Sequence, residues 1–262
     1  MSFSLSQLWV YPVKSLRGYA VNEVKLTATG AEHDRQWMVV SPDGDFRTQR
    51  KHPKMCLIST HIDAASDTPL TLGHADAGSV SAPRGGGYAI SAKVWNDTVQ
   101  AEDCGDEVAA WLTATLNIPC RLVFMPQGSE RAVPESDATV GFADAYPLLL
   151  CNEASLNDFN QHLEADIGMN RFRPNVVVSG ASAWAEDEWR EIEAGETRLT
   201  INSPCTRCVM PSVDPDTGEK QPVVIDALNA HRRFGYETRF GQNASFDKNG
   251  YLRVGDPVTV LS

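Results

Sequence analysis

Through the first ninety or so residues, apolar positions come in short runs or alternate with polar ones, and no long stretch repeats at helical spacing. LSQLWVYPV (residues 5–13) opens with partial alternation and predicts a strand. RQWMVVSPDGDFRTQR (35–50) predicts two strands joined at Pro42-Asp43-Gly44, where proline presets φ and glycine supplies φ > 0. CLISTHI (56–62) and PLTL (69–72) predict further short strands. APRGGGYAI (82–90) then interrupts. Its three glycines read as a hairpin tip or connection, because no Walker-type lysine and no helix start follow to complete a phosphate cradle.

The helical period appears later. In CGDEVAAWLTATLNI (104–118), Val108, Trp111 and Leu112 fall on one face behind acids suited to a helix N-terminus. In CNEASLNDFNQHLEADIG (151–168), Asn152 is a candidate cap, and Leu156, Phe159 and Leu163 form one stripe. RPNVVVSG (173–180), TRLTI (197–201) and DPVTVL (256–261) return to the strand pattern. Residues 226–249 are polar and give no clear period. The sum is a mostly β, α+β protein with two or three helices. Strands and helices do not alternate, which excludes a doubly wound parallel sheet.

Composition changes this picture only at the margins. The chain has 262 residues, enough for one large domain or two small ones. No apolar run reaches membrane-spanning length, and the first residues lack a secretory pattern. The net charge of −11 argues against a broad nucleic-acid surface, although a few convergent arginines can still hold one anion. The six cysteines are scattered, which predicts a reducing cytoplasm and mostly buried thiols rather than a disulfide framework.

Four clusters carry candidate chemistry. Lys14 and Ser15 end a strand in YPVKS, where a charge and a hydroxyl suit an anion and equally suit a solvated turn. Arg35 follows Asp34 ahead of an apolar strand, as a surface ion pair or an inward clamp. Arg171 and Arg173 flank Phe172. In an extended segment they share one face, where they would grip an anion or line a solvated edge. The fourth is SPCTRCVMPSVDPDTGEK (203–220). Cys205 and Cys208 fit a metal, a dithiol couple, or one ligand beside a bystander. Closed zinc lacks a second Cys-x-x-Cys and a His-x3–5-His pair, and Pro204 and Pro211 do not fit a thioredoxin-like turn. Arg207, between the thiols, would favour a thiolate. Asp214 and Asp216 read as a tight turn, or as groups that shape a site and relay protons.

Together these clusters resemble the MOSC family, and within it the branch of the amidoxime-reducing components and their bacterial relatives. The resemblance rests on YPVKS (11–15), on Asp34, Arg35 and Trp37, and on Thr48, Arg50 and Pro53. It continues through NEASL (152–156), FRPN (172–175), AEDEW (185–189), the Cys205-x-Arg207-Cys208 run, VDPDTG (213–218) and VGDPV (254–258). It covers essentially the whole chain and implies an N-terminal β-barrel-like domain over 1–95 followed by a MOSC β-barrel domain over 96–262.

The resemblance further implies a molybdenum-pterin cofactor whose metal is held by one protein cysteine, Cys208 by motif position, with Cys205 a bystander. Lys14, Ser15, Arg35, Asp144, Arg171, Arg173 and Asn175 are the implied cofactor-binding residues, with Cys208 and Asp214 catalytic. Ala145 and Tyr146 stand where relatives often carry hydroxyls. The implied activity is reduction of small N-hydroxylated substrates, amidoximes and hydroxylamines, with electrons from a separate iron–sulfur, flavin or haem protein. A pyridoxal phosphate association exists only as a family-level expectation. The rival reading is a non-catalytic carrier of the cofactor or of sulfur.

Overall fold

Residues 3–133 and 136–262 are described by a computed structural model. Trp37–Val40 explains the first half. Trp37 and Val39 point into one core with Val13, Leu16 and Leu72, while Met38 and Val40 point into another with Ile90, Val123 and Phe142. A strand covered on both faces needs no polar alternation, hence the run WMVV. It sits in a five-stranded sheet ordered Ala89–Val94, Asp97–Asp103, Arg121–Phe124, Trp37–Val40, Val13–Lys14. A three-stranded sheet of Ser59–Ile62, Leu70–His74 and Gly78–Ala82, with helix α1 (Asp106–Leu116), closes over the first core.

The second half is a closed seven-stranded barrel. Its order is Leu148–Asn152, Val176–Ser179, Phe3–Val10, Pro257–Val260, Glu191–Ala194, Thr197–Thr206 and Glu237–Phe246, and the last strand pairs back to the first. Leu148–Asn152 runs parallel to Val176–Ser179. A parallel pair needs a long crossover, and helix α2 (Glu153–Asn160) begins it. Asn152 caps α2 by accepting from the Ala154 N–H at 3.1 Å. Val176 and Val178 fill the barrel, while Val177 faces Phe159, Phe240 and the helix Pro222–His231, α3.

Several expectations change. The strand expected after Pro42-Asp43-Gly44 is reduced to two isolated bridges, Asp45 to Lys93 and Phe46 to Val40, although the turn itself forms with Gly44 at φ 87°. CLISTHI begins as a 3-10 turn (Pro53–Leu57) before its strand. The glycine run is a connection. The Gly86 N–H is taken by the Glu102 carboxylate at 3.0 Å, which leaves no phosphate cradle. The polar stretch contains the end of α3 and the long strand Glu237–Phe246.

The division expected at 95/96 falls in the turn of the hairpin Ala89–Val94/Asp97–Asp103, whose sheet continues to Arg121–Phe124. Phe3–Val10, first in sequence, is a strand of the second half. YPVKS is therefore where the chain leaves the barrel and enters the other sheet, so Lys14 and Ser15 stand at the junction. No helix among the described residues is long and apolar enough to cross a membrane.

Candidate functional site

At that junction lies a cavity of about 620 Å³. Lys14, Ser15, Arg35 and Arg50 reach it from the first half, and Asp144, Arg173, Asn175 and Cys208 from the second. Unusual backbone geometry aims several of them. Ser15 (φ 70°), Arg35 (φ 47°) and Arg173 (φ 57°) are non-glycine residues in the left-handed region, and all three line the cavity. Such conformations cost free energy and persist where surrounding structure enforces them, commonly at functional sites.

The buried end is cationic. Lys14, 5% exposed, donates to the Phe142 carbonyl at 2.8 Å and pairs with Asp144. Burial pushes the Lys14 ammonium below its usual pKa. Desolvation alone would raise the Asp144 carboxyl, but the Lys14 and Arg50 charges outweigh it and hold it well below the carboxylate range. Arg35 is fixed by its neighbour Asp34, by the Asn175 Oδ1 at 3.0 Å and by the Arg173 carbonyl at 3.2 Å. The Tyr11 ring carries both the Arg35 guanidinium (4.5 Å) and that of Arg173 (4.2 Å). Arg173 donates to the Leu16 carbonyl at 2.7 Å and has no carboxylate partner among the described residues. Burial, with Arg35 beside it, lowers its pKa to about 10, still charged at neutral pH. Asn175, 3% exposed, has every polar atom engaged and works as a positioner of Arg35.

The open end carries sulfur. Cys208 is exposed, just past the strand Thr197–Thr206, and accepts from the Arg50 Nε at 3.1 Å. Arg50 also donates to Asp144 at 3.0 Å and stacks on Trp95 at 4.6 Å. One chain of contacts thus links Lys14, Asp144, Arg50 and Cys208. Arg207 turns the other way. It donates to Cys205 at 3.0 Å and to the Phe172 carbonyl at 2.8 Å, so the arginine beside Cys208 in sequence serves the other thiol. Cys56, Cys104, Cys120 and Cys151 are buried, and burial raises each thiol pKa, to about 11 for Cys56 and about 12 for Cys104. No histidine lines the cavity, and among the described residues no three metal-ligating side chains cluster. That leaves closed zinc without a ligand set.

Two expected site residues lie elsewhere. Arg171 and Arg173 do not share a face, because Met169–Arg171 is a 3-10 turn and Arg173 is left-handed. Arg171 is consumed by the Pro211 carbonyl (3.3 Å), Asp214 (2.8 Å) and Gln221 (2.7 Å). Asp214 does not line the cavity. Its other oxygen accepts from the N–H groups of Asp216 and Thr217, so it organises the DPDTG turn. Ala145 and Tyr146 do line the cavity. Sequence reasoning quoted Arg50 without giving it a role and passed over Trp95. The available signal for Trp95 was a tryptophan in a tight hairpin turn, and it is 46% exposed there.

With this geometry in place, comparison with known proteins is decisive. The model of the MOSC N-terminal beta barrel domain matches residues 2–119, and that of the MOSC domain matches residues 137–259. The chain belongs to the MOSC family. Among MOSC relatives, the mitochondrial amidoxime-reducing component 1 of Mus musculus is 35% identical over 98% of this chain and 82% of its own length. Component 1 of Homo sapiens is 34% identical over 98% and 83%. Component 2 of Bos taurus is 34% identical over 97% and 82%. Among solved structures, the YUAD protein of Bacillus subtilis is similar at 12% identity with a TM-score of 0.47, over 98% of this chain and 94% of that one. The MOSC domains and the amidoxime-reducing components support a molybdenum-cofactor-related function.

Proposed function

We propose that the protein is a molybdenum-cofactor-dependent reductase of small N-hydroxylated compounds, supplied with electrons by a separate donor protein. The observation that carries this is one shared cavity, with the exposed Cys208 thiol at one end and Lys14, Ser15, Arg35 and Arg173 at the other. A metallopterin presents a soft-ligand metal and a phosphate, and the donor set fits both: one sulfur for the metal, fixed cations for the phosphate. When bound, the cofactor would supply the two-electron step in which an N-hydroxyl group, two electrons and two protons become N–H and water.

The remaining roles belong to the chain. Cys208 is the metal-ligand candidate, and Arg50 positions its sulfur. Lys14, Arg35 and Arg173 would hold the anionic end, with Asp34, Tyr11 and Asn175 fixing the two guanidinium groups. Asp144, on the cavity wall, pairs with both Lys14 and Arg50 and so joins the two ends. Arg171 and Asp214 stabilise the turn after Cys208 and enter no step. The name of these relatives, amidoxime-reducing component, agrees with this reading.

The test is molybdenum content and benzamidoxime turnover, with dithionite as reductant, on protein made with a working cofactor pathway. Cys208→Ala is expected to lose both, and Cys205→Ala to retain more of both. The reverse order would assign the other thiol. Bound pterin without turnover would support the carrier reading, and zinc in place of molybdenum would overturn the proposal.

A further inference from the structure

Large apolar side chains exposed singly on a surface are ordinary, whereas a cluster of them around one opening is not. Nine are exposed among the described residues, and four of these border the mouth of the large cavity. Trp95 stacks on Arg50 and donates through its indole N–H to Asp144 at 3.0 Å. Val209, 48% exposed, stands between Cys208 and Met210, both of which line the cavity. Phe234, 44% exposed, lies under the Arg239 guanidinium at 5.2 Å, and Tyr236, fully exposed, precedes Glu237. Arg239 and Glu237 line the cavity too.

Phe234 and Tyr236 stand at the tip of the hairpin Arg233–Phe234/Glu237–Phe246. In the run HRRFGYETR (231–239), three arginines accompany one acid, in a chain of net charge −11. Arg232 pairs with Asp187 and Arg239 with Glu237, and these pairs hold two guanidinium groups against the Phe234 ring, at 5.0 and 5.2 Å. Arg232 also packs on the Trp184 ring at 3.8 Å, which anchors the base of the hairpin. Arg233 differs. It is exposed, donates to the Gly235 carbonyl at 3.1 Å and has no carboxylate partner among the described residues, so its charge stands free in solvent. The tip is therefore fixed, apolar and positive.

The tip also lies beside the exposed sulfur. Thr206 pairs with Arg239, and the Arg207 N–H donates to the Thr238 carbonyl at 2.7 Å. The chain leading out to Cys208 thus runs alongside the chain coming in from Tyr236, and whatever covers the tip comes over Cys208. We propose, on the reductase reading, that Arg233, Phe234 and Tyr236 form the docking surface of the separate electron donor, and that this donor is a small acidic one-electron carrier protein. An acidic carrier is repelled by the chain as a whole and drawn in at this tip, which orients its redox centre toward Cys208. Arginine and aromatic side chains carry most of the binding energy in protein interfaces, and a rigid tip loses little freedom on docking. Electron-transfer contacts are small, so a single hairpin tip with its rim is enough.

The experiment compares reductants on the cofactor-loaded full chain, with benzamidoxime as substrate. Dithionite needs no docking surface. A plant-type [2Fe–2S] ferredoxin and a flavodoxin, both acidic and kept reduced by an NADPH-dependent reductase, do need one. At about 50 mM salt, Arg233→Glu is expected to lower the carrier-driven rate about tenfold and Tyr236→Ala about three- to tenfold, while the dithionite rate stays unchanged. Raising the salt to about 0.5 M shrinks the effect of Arg233→Glu. Calorimetric binding of the oxidised carriers, which needs no turnover, weakens in the same two variants. If dithionite drives no turnover, the reductase reading fails, and the calorimetry still decides the surface. Equal loss of the dithionite rate, variants that bind and use both carriers as wild type does, or no binding of either carrier to wild type overturns the proposal. So does a tip that instead brings the chain onto phosphatidylglycerol vesicles, or into dimers on sedimentation, with no effect on the carriers.

Discussion

At the scale of single residues, the cavity is a problem of compensated charge. The Lys14 ammonium is nearly buried and, among the described residues, has one carboxylate partner, Asp144. Asp144→Asn removes that partner and leaves the ammonium with the Phe142 carbonyl. Breaking a fully buried pair costs about 3–5 kcal/mol, but Asp144 is 52% exposed, so a loss of about 1–2 kcal/mol is expected in urea unfolding at pH 7. The Asp144 carboxyl titrates below its ordinary value in the folded state, so its contribution is complete above about pH 4 and fades as pH falls further. Wild type and Asp144→Asn should therefore converge below about pH 4, and a difference that persists unchanged would remove the ion pair from the account. The convergence of Lys14, Ser15, Arg35, Asp144, Arg173, Asn175 and Cys208 on one cavity was legible from their motif positions. Arg171 was not, since its direction depends on a 3-10 turn and a left-handed neighbour that residue alternation does not encode. Arg50 was quoted without a role, because 158 residues separate it from the sulfur it touches.

At the scale of elements, what could be read was periodicity, and what could not was tertiary coverage. Helices α1 and α2 follow from their stripes, and Asn152 caps α2 as its type suggests. Helix α3 was missed, since Pro222–His231 has only Val224 and Leu228 buried and so writes a faint stripe. AEDEW had no role in any element until the structure placed Glu186 against α2. The Glu186 Oε2 accepts from Asn152 and Ser155, both at 2.9 Å, while Oε1 has no partner. Burial raises this carboxyl pKa, so folding favours its protonated form. The stability it contributes is present below the ordinary glutamate value, about 4.3, and is lost as pH rises through the raised one. Glu186→Gln carries no such charge. It should melt higher than wild type at pH 7 to 8 and match it near pH 4. A variant that melts lower at pH 8 would mean that the carboxylate is better satisfied than its contacts suggest.

At the scale of the whole molecule, the two halves share chain. Phe3–Val10 belongs to the barrel, and the sheet of the first half extends to Phe124. Fragments cut at 95/96 should therefore not fold alone. Residues 96–262 would lack a barrel strand, and residues 1–95 would lack two sheet strands. Sharp, dispersed amide NMR signals from either fragment would refute this. The strand itself was readable from LSQLWVYPV, although it runs from Phe3 to Val10, but its partners were not, because Leu8 pairs with Val176 and Phe3 with Val258. During synthesis that separation becomes a delay. At about 5–20 residues per second, Val176 follows Leu8 out of the ribosome by roughly 10–30 s. For that interval an eight-residue segment without a single charge waits with its ladder groups open, the kind of edge a nascent chain must have shielded. Lys14 and Ser15 come directly after it, whereas Arg173 and Cys208 are made much later, so the cavity they share forms only once all four have left the ribosome.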